Sequence, residues 1–464
     1  MTMQPQKIYF AGAGGIGMAA LERYFLSKGY RVAGYDRTET ELTRQLAKEG
    51  VEITYNDTVD AIPADFRDCP QQVQVVYTPA LPSDHPQLSY FRSQGYPVLK
   101  RSQVLGLITK GSKSLCFAGT HGKTTTSSMA AHLLNTSPVG CNAFLGGILR
   151  NYNSNLLLSA TSPYSVVEAD EYDRSFHQLA PYIAVINATD PDHLDIYGTE
   201  EAYLESFAHF TELIRPDGFL LLHTGLKLKP RPGKGVRTYT FGRNDGDFHA
   251  KNIRYSQGSI LFDLVTPWNT ITDLSPGIPV DINIDNAIAA IAAVLLTGEQ
   301  ITDQTIRQAM STFKGPKRRF EFWLKRTGQN GKPQVIVDDY AHHPDEIRAS
   351  IRSIRALYPE SKLTVIFQPH LFSRTRDFAT EFAQSLSEAD SVILLPIYPA
   401  REEPIPGISS ETILNQIDNA NKMLAAKQNL IKTIKNSNFE VLLTLGAGDI
   451  CDMLPEILSE VNSL

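Results

Sequence analysis

Twice, at Ile8–Gly17 and at Ser114–Thr126, an apolar run feeds a glycine-rich turn that opens into a helical stretch. A strand–turn–helix start of this kind commits the following chain to βαβ units, and so to a parallel sheet with helices on its faces. The rest of the sequence follows suit. Apolar runs at Arg31–Tyr35, Val73–Tyr77, Tyr164–Val167, Ile183–Ile186, Val335–Val337, Leu363–Phe367, Val392–Leu395 and Val441–Thr444 read as strands. Helical stretches such as Met18–Ser27, Asn286–Leu296, Pro344–Leu357 and Phe378–Ser387 lie between them. The pattern predicts an α/β protein with mostly parallel sheets. The 464 residues suit three domains, since a domain uses about 100–200. The expected divisions are 1–107, 108–318 and 319–464. The stretch Gly225–Pro279 is rich in Gly, Pro and Thr, and reads as a β-rich insertion.

Composition bounds the function. Hydrophobic residues make up 42% and charged residues 20%, which excludes a disordered or fibrous chain. The net charge of −6 disfavours nonspecific binding to nucleic acid or anionic membrane. Cys69, Cys116, Cys141 and Cys451 are scattered with no C-x-x-C, so reduced, mostly buried thiols are expected. The run Ala287–Leu296 is about half the ~20 residues of a membrane span. No signal peptide is evident, and a cytoplasmic protein is expected.

Gly12-Ala13-Gly14-Gly15-Ile16-Gly17 fits G-x-G-x-x-G, with Asp36 at the end of the next strand. Glycines let the backbone approach a pyrophosphate, the helix N-terminus supplies N–H donors, and the acid can hold ribose hydroxyls. The geometry serves a dinucleotide or any other nucleotide diphosphate.

Gly119-Thr120-His121-Gly122-Lys123-Thr124-Thr125 is the sharper signal. A lysine among glycine-spaced amides neutralises β/γ-phosphate charge, and the next threonine hydroxyl can hold Mg²⁺. Phe117 stands where the usual first glycine would be, so the loop is a shortened variant.

Carboxylates cluster at the following strand ends, where doubly wound sheets bind ligands. Glu168 and His193 are candidates to hold Mg²⁺ with Thr124, directly or through water. Asp170, Glu171 and Asp192 read as structural. Asn283 reads as a helix cap, while Asn286 can cap the helix or read an adenine edge. Arg319 sits at the last domain boundary, within reach of a phosphate or simply facing solvent. Asp338–Pro344 and Gln368–Asp377 follow strands, and the first reads as a substrate or nucleotide contact. Arg374 and Arg376 suit a carboxylate or phosphate by forked hydrogen bonding.

Taken in order, these motifs resemble the Mur ligases of bacterial peptidoglycan synthesis, and among them the alanine-adding branch. The resemblance spans nearly the whole chain. It rests on Gly14–Met18, Gly119–Thr126, Glu168–Glu171, Asp192–Gly198, Asp338–Pro344, Gln368–Asp377 and Glu402–Gly407. It implies an N-terminal Rossmann-like domain for a UDP-sugar, a central P-loop ATPase, and a C-terminal Rossmann-like domain for amino-acid binding and closure over ATP. It implies ATP and Mg²⁺ as cofactors, UDP-N-acetylmuramate and L-alanine as partners, and a monomer or weak homodimer. The implied reaction passes through an acyl phosphate, which domain closure would shield from water.

By this resemblance Gly12–Gly17, Asp36 and Thr78 sit near UDP, and Lys123 binds ATP phosphates. Thr124, Glu168 and His193 contact Mg²⁺, and Asn286, Arg319 and Asp339 contact ATP. His342, His370, Arg374 and Arg376 face the reacting carboxylate or the alanine. Sister ligases carry a carbamylated lysine after the motif's histidine, whereas no lysine occurs here from Leu194 to Leu226, as in the alanine branch. Leu371 stands where the family often has arginine. The rival readings are a tripeptide-adding recycling ligase, an NAD-dependent oxidoreductase resting on Gly12–Gly17 and Asp36 alone, and a nucleotide-gated UDP-sugar sensor.

Overall fold

The computed structural model describes residues 6–82, 84–191, 194–256, 259–328, 331–400, 402–419, 421–437 and 439–463. Three α/β sheets form, one to each of three domains, as the alternating pattern predicts.

The first sheet contains β1 (Lys7–Ala11), β2 (Arg31–Tyr35), β3 (Glu52–Thr54), β4 (Val73–Tyr77) and β5 (Val98–Lys100). Its order is β3-β2-β1-β4-β5, with every pair parallel. The winding reverses between β1 and β4, which opens a crevice at their C-terminal ends. Gly12, Asp36 and Thr78 each follow one of the strands at that end.

The second sheet contains β6 (Lys113–Ala118), β7 (Asn142–Leu149), β8 (Ser154–Leu157), β9 (Tyr164–Glu168), β10 (Ile183–Ile186), β11 (Phe219–His223), β12 (Arg237–Gly242), β13 (Phe248–Ser256), β14 (Ser259–Val265) and β15 (Thr270–Leu274). Its order is β15-β14-β13-β12-β11-β10-β6-β9-β7-β8. The Gly/Pro/Thr-rich stretch is β-rich as expected, but its strands extend this sheet beyond β11. β6 lies between β10 and β9, parallel to both, and is buried from Ser114 to Ala118. From Ala287 to Val294 the helix Ile282–Leu295 is apolar on all sides and wholly buried. It starts one turn ahead of the alanine-rich run.

The third sheet contains β16 (Glu321–Thr327), β17 (Pro333–Asp339), β18 (Leu363–Phe367), β19 (Ser391–Leu394), β20 (Lys422–Leu424) and β21 (Val441–Leu445). Its order is β16-β17-β21-β18-β19-β20, parallel except for the antiparallel edge β16. Sequence reading does not anticipate β16. A register shift between Phe322 and Leu324 interrupts the two-residue alternation that signals a strand.

The chain forms two compact units. One comprises Met1–Asn252, Phe262–Gly277 and Ile284–Phe313, and the other Ile253–Leu261, Ile278–Asn283 and Lys314–Leu464. In the first unit one of the apolar clusters joins two sheets. The helix Ile16–Ser27 packs on β7 and β8, and the rings of Tyr24 and Phe144 meet at 5.3 Å. The third sheet has its own core, built on Ile336, Ile366, Leu442 and Ile457. All four cysteines are free, with Cys116 and Cys141 buried. No helix among the described residues is long and apolar enough to cross a membrane.

Candidate active site

The loop after β6 is shaped by two glycines. Gly119 has φ +137° and Gly122 φ +82°, conformations that disfavour any side chain. Space forbids one as well. A Cβ on Gly119 would lie 2.8 Å from the amide of Ala188, and one on Gly122 2.6 Å from Asn286 Oδ1. Gly122 caps the helix Lys123–Thr136, so Lys123, Thr124 and Thr125 form its first turn, beside unpaired amides and a positive dipole end.

The loop is braced from behind. Asn187 Nδ2 donates to Thr126 Oγ1 at 2.8 Å, and Thr126 Oγ1 donates to Asn286 Oδ1 at 3.0 Å. Asn286, expected at the nucleotide, is buried beside the loop. The Thr120 hydroxyl bonds to the Asp190 carbonyl at 2.6 Å and the Tyr203 hydroxyl at 2.9 Å. His121 is exposed at the loop's tip.

Thr124 Oγ1 donates to Glu168 Oε2 at 2.9 Å, and Gly146 N donates to the same oxygen at 3.1 Å. These are hard oxygen donors of the kind Mg²⁺ selects. The third expected ligand, His193, and also Asp192, lie outside the described residues. No group of three or more His, Cys, Asp or Glu poised for a metal occurs among the described residues. Asp170 Oδ1 accepts from Tyr172 N at 3.1 Å, a turn-forming role like the one read from sequence. Glu171, read as structural, is paired with the loop lysine. Both its oxygens accept from Lys123 Nζ, at 2.7 and 2.8 Å.

At the first sheet, Gly12 has φ +92°, and a Cβ there would meet Thr78 Cγ2 at 2.4 Å. Gly12 N and Ala13 N both donate to Tyr35 O at 2.8 Å. Asp36 Oδ2 accepts from Gly14 N at 2.6 Å, so the acid clasps the glycine turn itself. Gly15 caps the helix, whose first residue, Ile16, is exposed. Sequence reasoning overlooks Arg101. Its Nη1 lies 2.5 Å from where a Cβ on Gly17 would be, and it makes no hydrogen bond or ion pair among the described residues. An arginine so far from Gly17 in sequence gives no local signal.

In the third domain, the half-buried Asp339 ends β17, where burial pushes its carboxyl up to about 6 although Ser350 Oγ donates to it. His342 Nδ1 lies 2.9 Å from the Tyr340 carbonyl. The rings of His342 and His370 are 6.3 Å apart, and Arg374 Nη1 is 3.5 Å from His370 Nδ1. Burial, and then the neighbouring Arg374, hold His370 down at about 4, so it is neutral at physiological pH. Burial lowers His342 too. Tyr398 stacks on His370 at 5.8 Å, and Glu402 accepts from Ser373 N at 3.0 Å. Arg376 does not join this cluster. Two positions along the helix Phe372–Leu386 turn it away from Arg374, and it pairs with exposed Asp377 at 2.7 Å. Leu371, just ahead of this helix, has φ +73° and ψ 135°, a strained conformation for a branched residue. Arg319 lies over the Tyr340 ring at 5.4 Å, while its neighbour Arg318 is tied to Asp338 at 3.3 Å and to the Gly448 carbonyl at 2.9 Å.

A glycine–lysine loop that follows a strand with parallel neighbours on both sides, with a carboxylate at the next strand end, is the pattern of the P-loop class of α/β proteins. The comparisons with known proteins narrow it. The model described as Mur ligase family, catalytic domain, matches residues 7–113, the Mur ligase middle domain matches 117–294, and the Mur ligase, glutamate ligase domain, matches 318–448. The chain belongs to the Mur ligase family.

The UDP-N-acetylmuramate–L-alanine ligase of Phocaeicola vulgatus is 54% identical, over 98% of this chain and 98% of its own. The same-named ligase of Parabacteroides distasonis is 55% identical, over 98% of this chain and 96% of its own. The solved structure of UDP-N-acetylmuramate–alanine ligase from Thermotoga maritima superposes with a TM-score of 0.80 at 27% identity, covering 98% of this chain and 99% of that one.

Proposed function

We propose that this chain is an ATP-dependent ligase that joins L-alanine to the lactyl carboxylate of UDP-N-acetylmuramate, in peptidoglycan precursor synthesis. The observation that carries the reading is Lys123 in the first turn of a helix behind two conformationally obligatory glycines. The relatives above act, by name, on these substrates.

The chemistry follows from charge. A carboxylate is a poor acceptor for an amine. A lactyl carboxylate oxygen attacks the γ-phosphorus of ATP, the bond to the β-phosphate oxygen breaks, and ADP leaves. The product is an acyl phosphate. The neutral amine of L-alanine then attacks the acyl carbon, phosphate departs with the bonding pair, and the nitrogen gives up a proton. Lys123 and the amides at the start of its helix stabilise charge on the transferring oxygens. Thr124 and Glu168 would hold Mg²⁺, which when bound supplies further charge neutralisation on the phosphates. Arg374 suits the alanine carboxylate by forked bonding, and the neutral imidazoles of His342 and His370 can accept the amine proton.

We assign the UDP-sugar to residues 1–107, through Gly12–Gly17, Asp36, Thr78 and Arg101. ATP falls to 108–318, assisted by Arg319 and Asp339, and the amino acid to 319–464. The net charge of −6 suits an enzyme with no nucleic-acid or membrane partner. A cytoplasmic monomer or weak homodimer is the proposed state.

The test is phosphate release with ATP, Mg²⁺ and UDP-N-acetylmuramate, with and without L-alanine, and with the murein tripeptide in its place. Release that requires L-alanine is expected. Release that requires the tripeptide instead would assign the chain to the recycling reaction, and no release with either would sink the ligase reading.

A further inference from the structure

Lys123 already has all three of its ammonium donors engaged. They reach Glu171 Oε1 at 2.7 Å, Glu171 Oε2 at 2.8 Å and the Gly119 carbonyl at 2.7 Å. Glu171 is 1% exposed, so its charge has no water to lean on. Burial pushes its carboxyl up and Lys123 pulls it back. A buried carboxylate of this kind is tolerable only beside a counter-charge.

The turn that delivers Glu171 is constrained. Tyr197, itself buried, donates its hydroxyl to the Glu171 carbonyl at 2.6 Å. Asp173 and Arg174, just beyond, are both left-handed at φ +50° and +52°. The Arg174 guanidinium lies over the Tyr197 ring at 4.8 Å. The acid is therefore aimed at the lysine by fixed backbone.

We propose that Glu171 is a positioning residue that stands in for phosphate charge: it holds Lys123 over the loop before nucleotide arrives and surrenders part of it to the terminal phosphates of ATP. This inference rests on the nucleotide reading above. Because the three donors are all in use, an incoming phosphate oxygen must displace at least one existing bond. Glu171 therefore opposes ATP binding while it orients the lysine for phosphoryl transfer. Removing its charge has two effects of opposite sign. Affinity for ATP rises because a competitor is gone, and turnover falls because the lysine loses its anchor. A merely architectural ion pair would lose stability and ATP affinity together.

The experiment uses the full chain with wild type, Glu171→Gln and Glu171→Asp. ATP affinity is read by calorimetric titration with Mg²⁺, turnover by phosphate release under saturating substrates, and stability by thermal midpoint. For Glu171→Gln the Kd for ATP should fall roughly 3- to 30-fold, the effect of one partly screened charge beside a polyanion. Its kcat should fall about tenfold or more. Glu171→Asp sets the carboxylate back by one methylene and should move both quantities the same way by less. It carries the test alone if the glutamine variant does not fold. An ATP Kd at or above the wild-type value in the folded variants overturns the proposal. Wild-type protein that binds no ATP in the same titration would instead sink the nucleotide reading itself.

Discussion

Thr124 Oγ1 donates to Glu168 Oε2 across 2.9 Å, which ties the first turn of the loop's helix to the end of the neighbouring strand β9. The carboxylate is an acceptor here, but its charge is what a divalent cation would use. Glu168→Gln keeps the acceptor and the shape and removes the charge. Folding should survive, and phosphate release should fall about 100-fold or more. Phosphate release measured across a Mg²⁺ series, alongside the thermal midpoint, checks this. Turnover within threefold of wild type would remove Glu168 from the cation site.

Gly146 offers a subtler probe of the same oxygen. A Cβ there would stand 2.1 Å from Glu168 Oε2 and 2.7 Å from its Cδ. The obstructed atoms are the far end of a flexible side chain, so Gly146→Ala should displace the carboxylate instead of breaking the strand. Stability should change by about 1 kcal/mol. Activity should fall roughly 10- to 100-fold, since misplacement on the ångström scale is costly in catalysis. Denaturant unfolding and phosphate release on one preparation separate the two. A variant as active as wild type would mean that the carboxylate position is not critical.

What sequence could reveal here was periodic or local. The strands Arg31–Tyr35, Val73–Tyr77, Ile183–Ile186 and Leu363–Phe367 coincide with apolar runs, because buried parallel strands are apolar on both faces. The loop at Gly119–Lys123 was legible because its chemistry is contiguous. β16 was not, since its bulge breaks the alternation. Neither the partnership of Lys123 with Glu171 nor that of Gly17 with Arg101 was legible, because both depend on how distant strand ends come together. Asn286 was legible as a polar residue at a helix start, but its bond to Thr126 was not, because that depends on how the loop and the helix come together. The pairing of Arg376 with its exposed neighbour Asp377 was likewise not legible, since it depends on side-chain direction along the helix.

His370 carries a pH prediction. Its folded-state pKa is about 4, depressed by burial and by Arg374. Unfolded, it would protonate near 6.5. As pH falls through the interval between these values, the unfolded chain binds the proton first, so the folded state loses stability from about 6.5 down to about 4. Ring-carbon NMR should place the His370 midpoint near 4. The acid limb of kcat/KM for alanine should show no His370 contribution near 6.5. An observed midpoint near 6.5 would contradict the packing described around this ring.

Lys123 and Arg101 each open a helix that follows a strand, of different sheets, and should fail differently. Lys123→Ala should abolish ligation while UDP-N-acetylmuramate still binds. Arg101→Ala should weaken the UDP-sugar by about 10-fold, as expected for loss of a charge-assisted contact, with ATP binding unchanged. Calorimetric titration of each ligand into each variant reads the pattern. Near-wild-type ligation by Lys123→Ala would contradict its assignment. Unchanged UDP-sugar affinity in Arg101→Ala would place the diphosphate elsewhere.

Glu22 is 0% exposed in the helix Ile16–Ser27, and neither carboxyl oxygen has a hydrogen-bond partner among the described residues. Burial raises its pKa well above the ordinary value, with Asp36 and Glu49 adding to the rise against Arg23. The folded chain therefore keeps a proton that the unfolded chain gives up near pH 4.3. Above that pH the unfolded state binds fewer protons, so stability falls as pH rises toward the folded pKa. Glu22→Met nearly conserves volume and removes the orphaned oxygens. It should stabilise the chain by about 1–3 kcal/mol near neutral pH, the cost of an unsatisfied buried polar group, with a smaller gain near pH 4.5. Thermal midpoints at pH 4.5, 6 and 8 test this. A midpoint that does not rise, or a gain independent of pH, would mean that Glu22 has found a partner in solution.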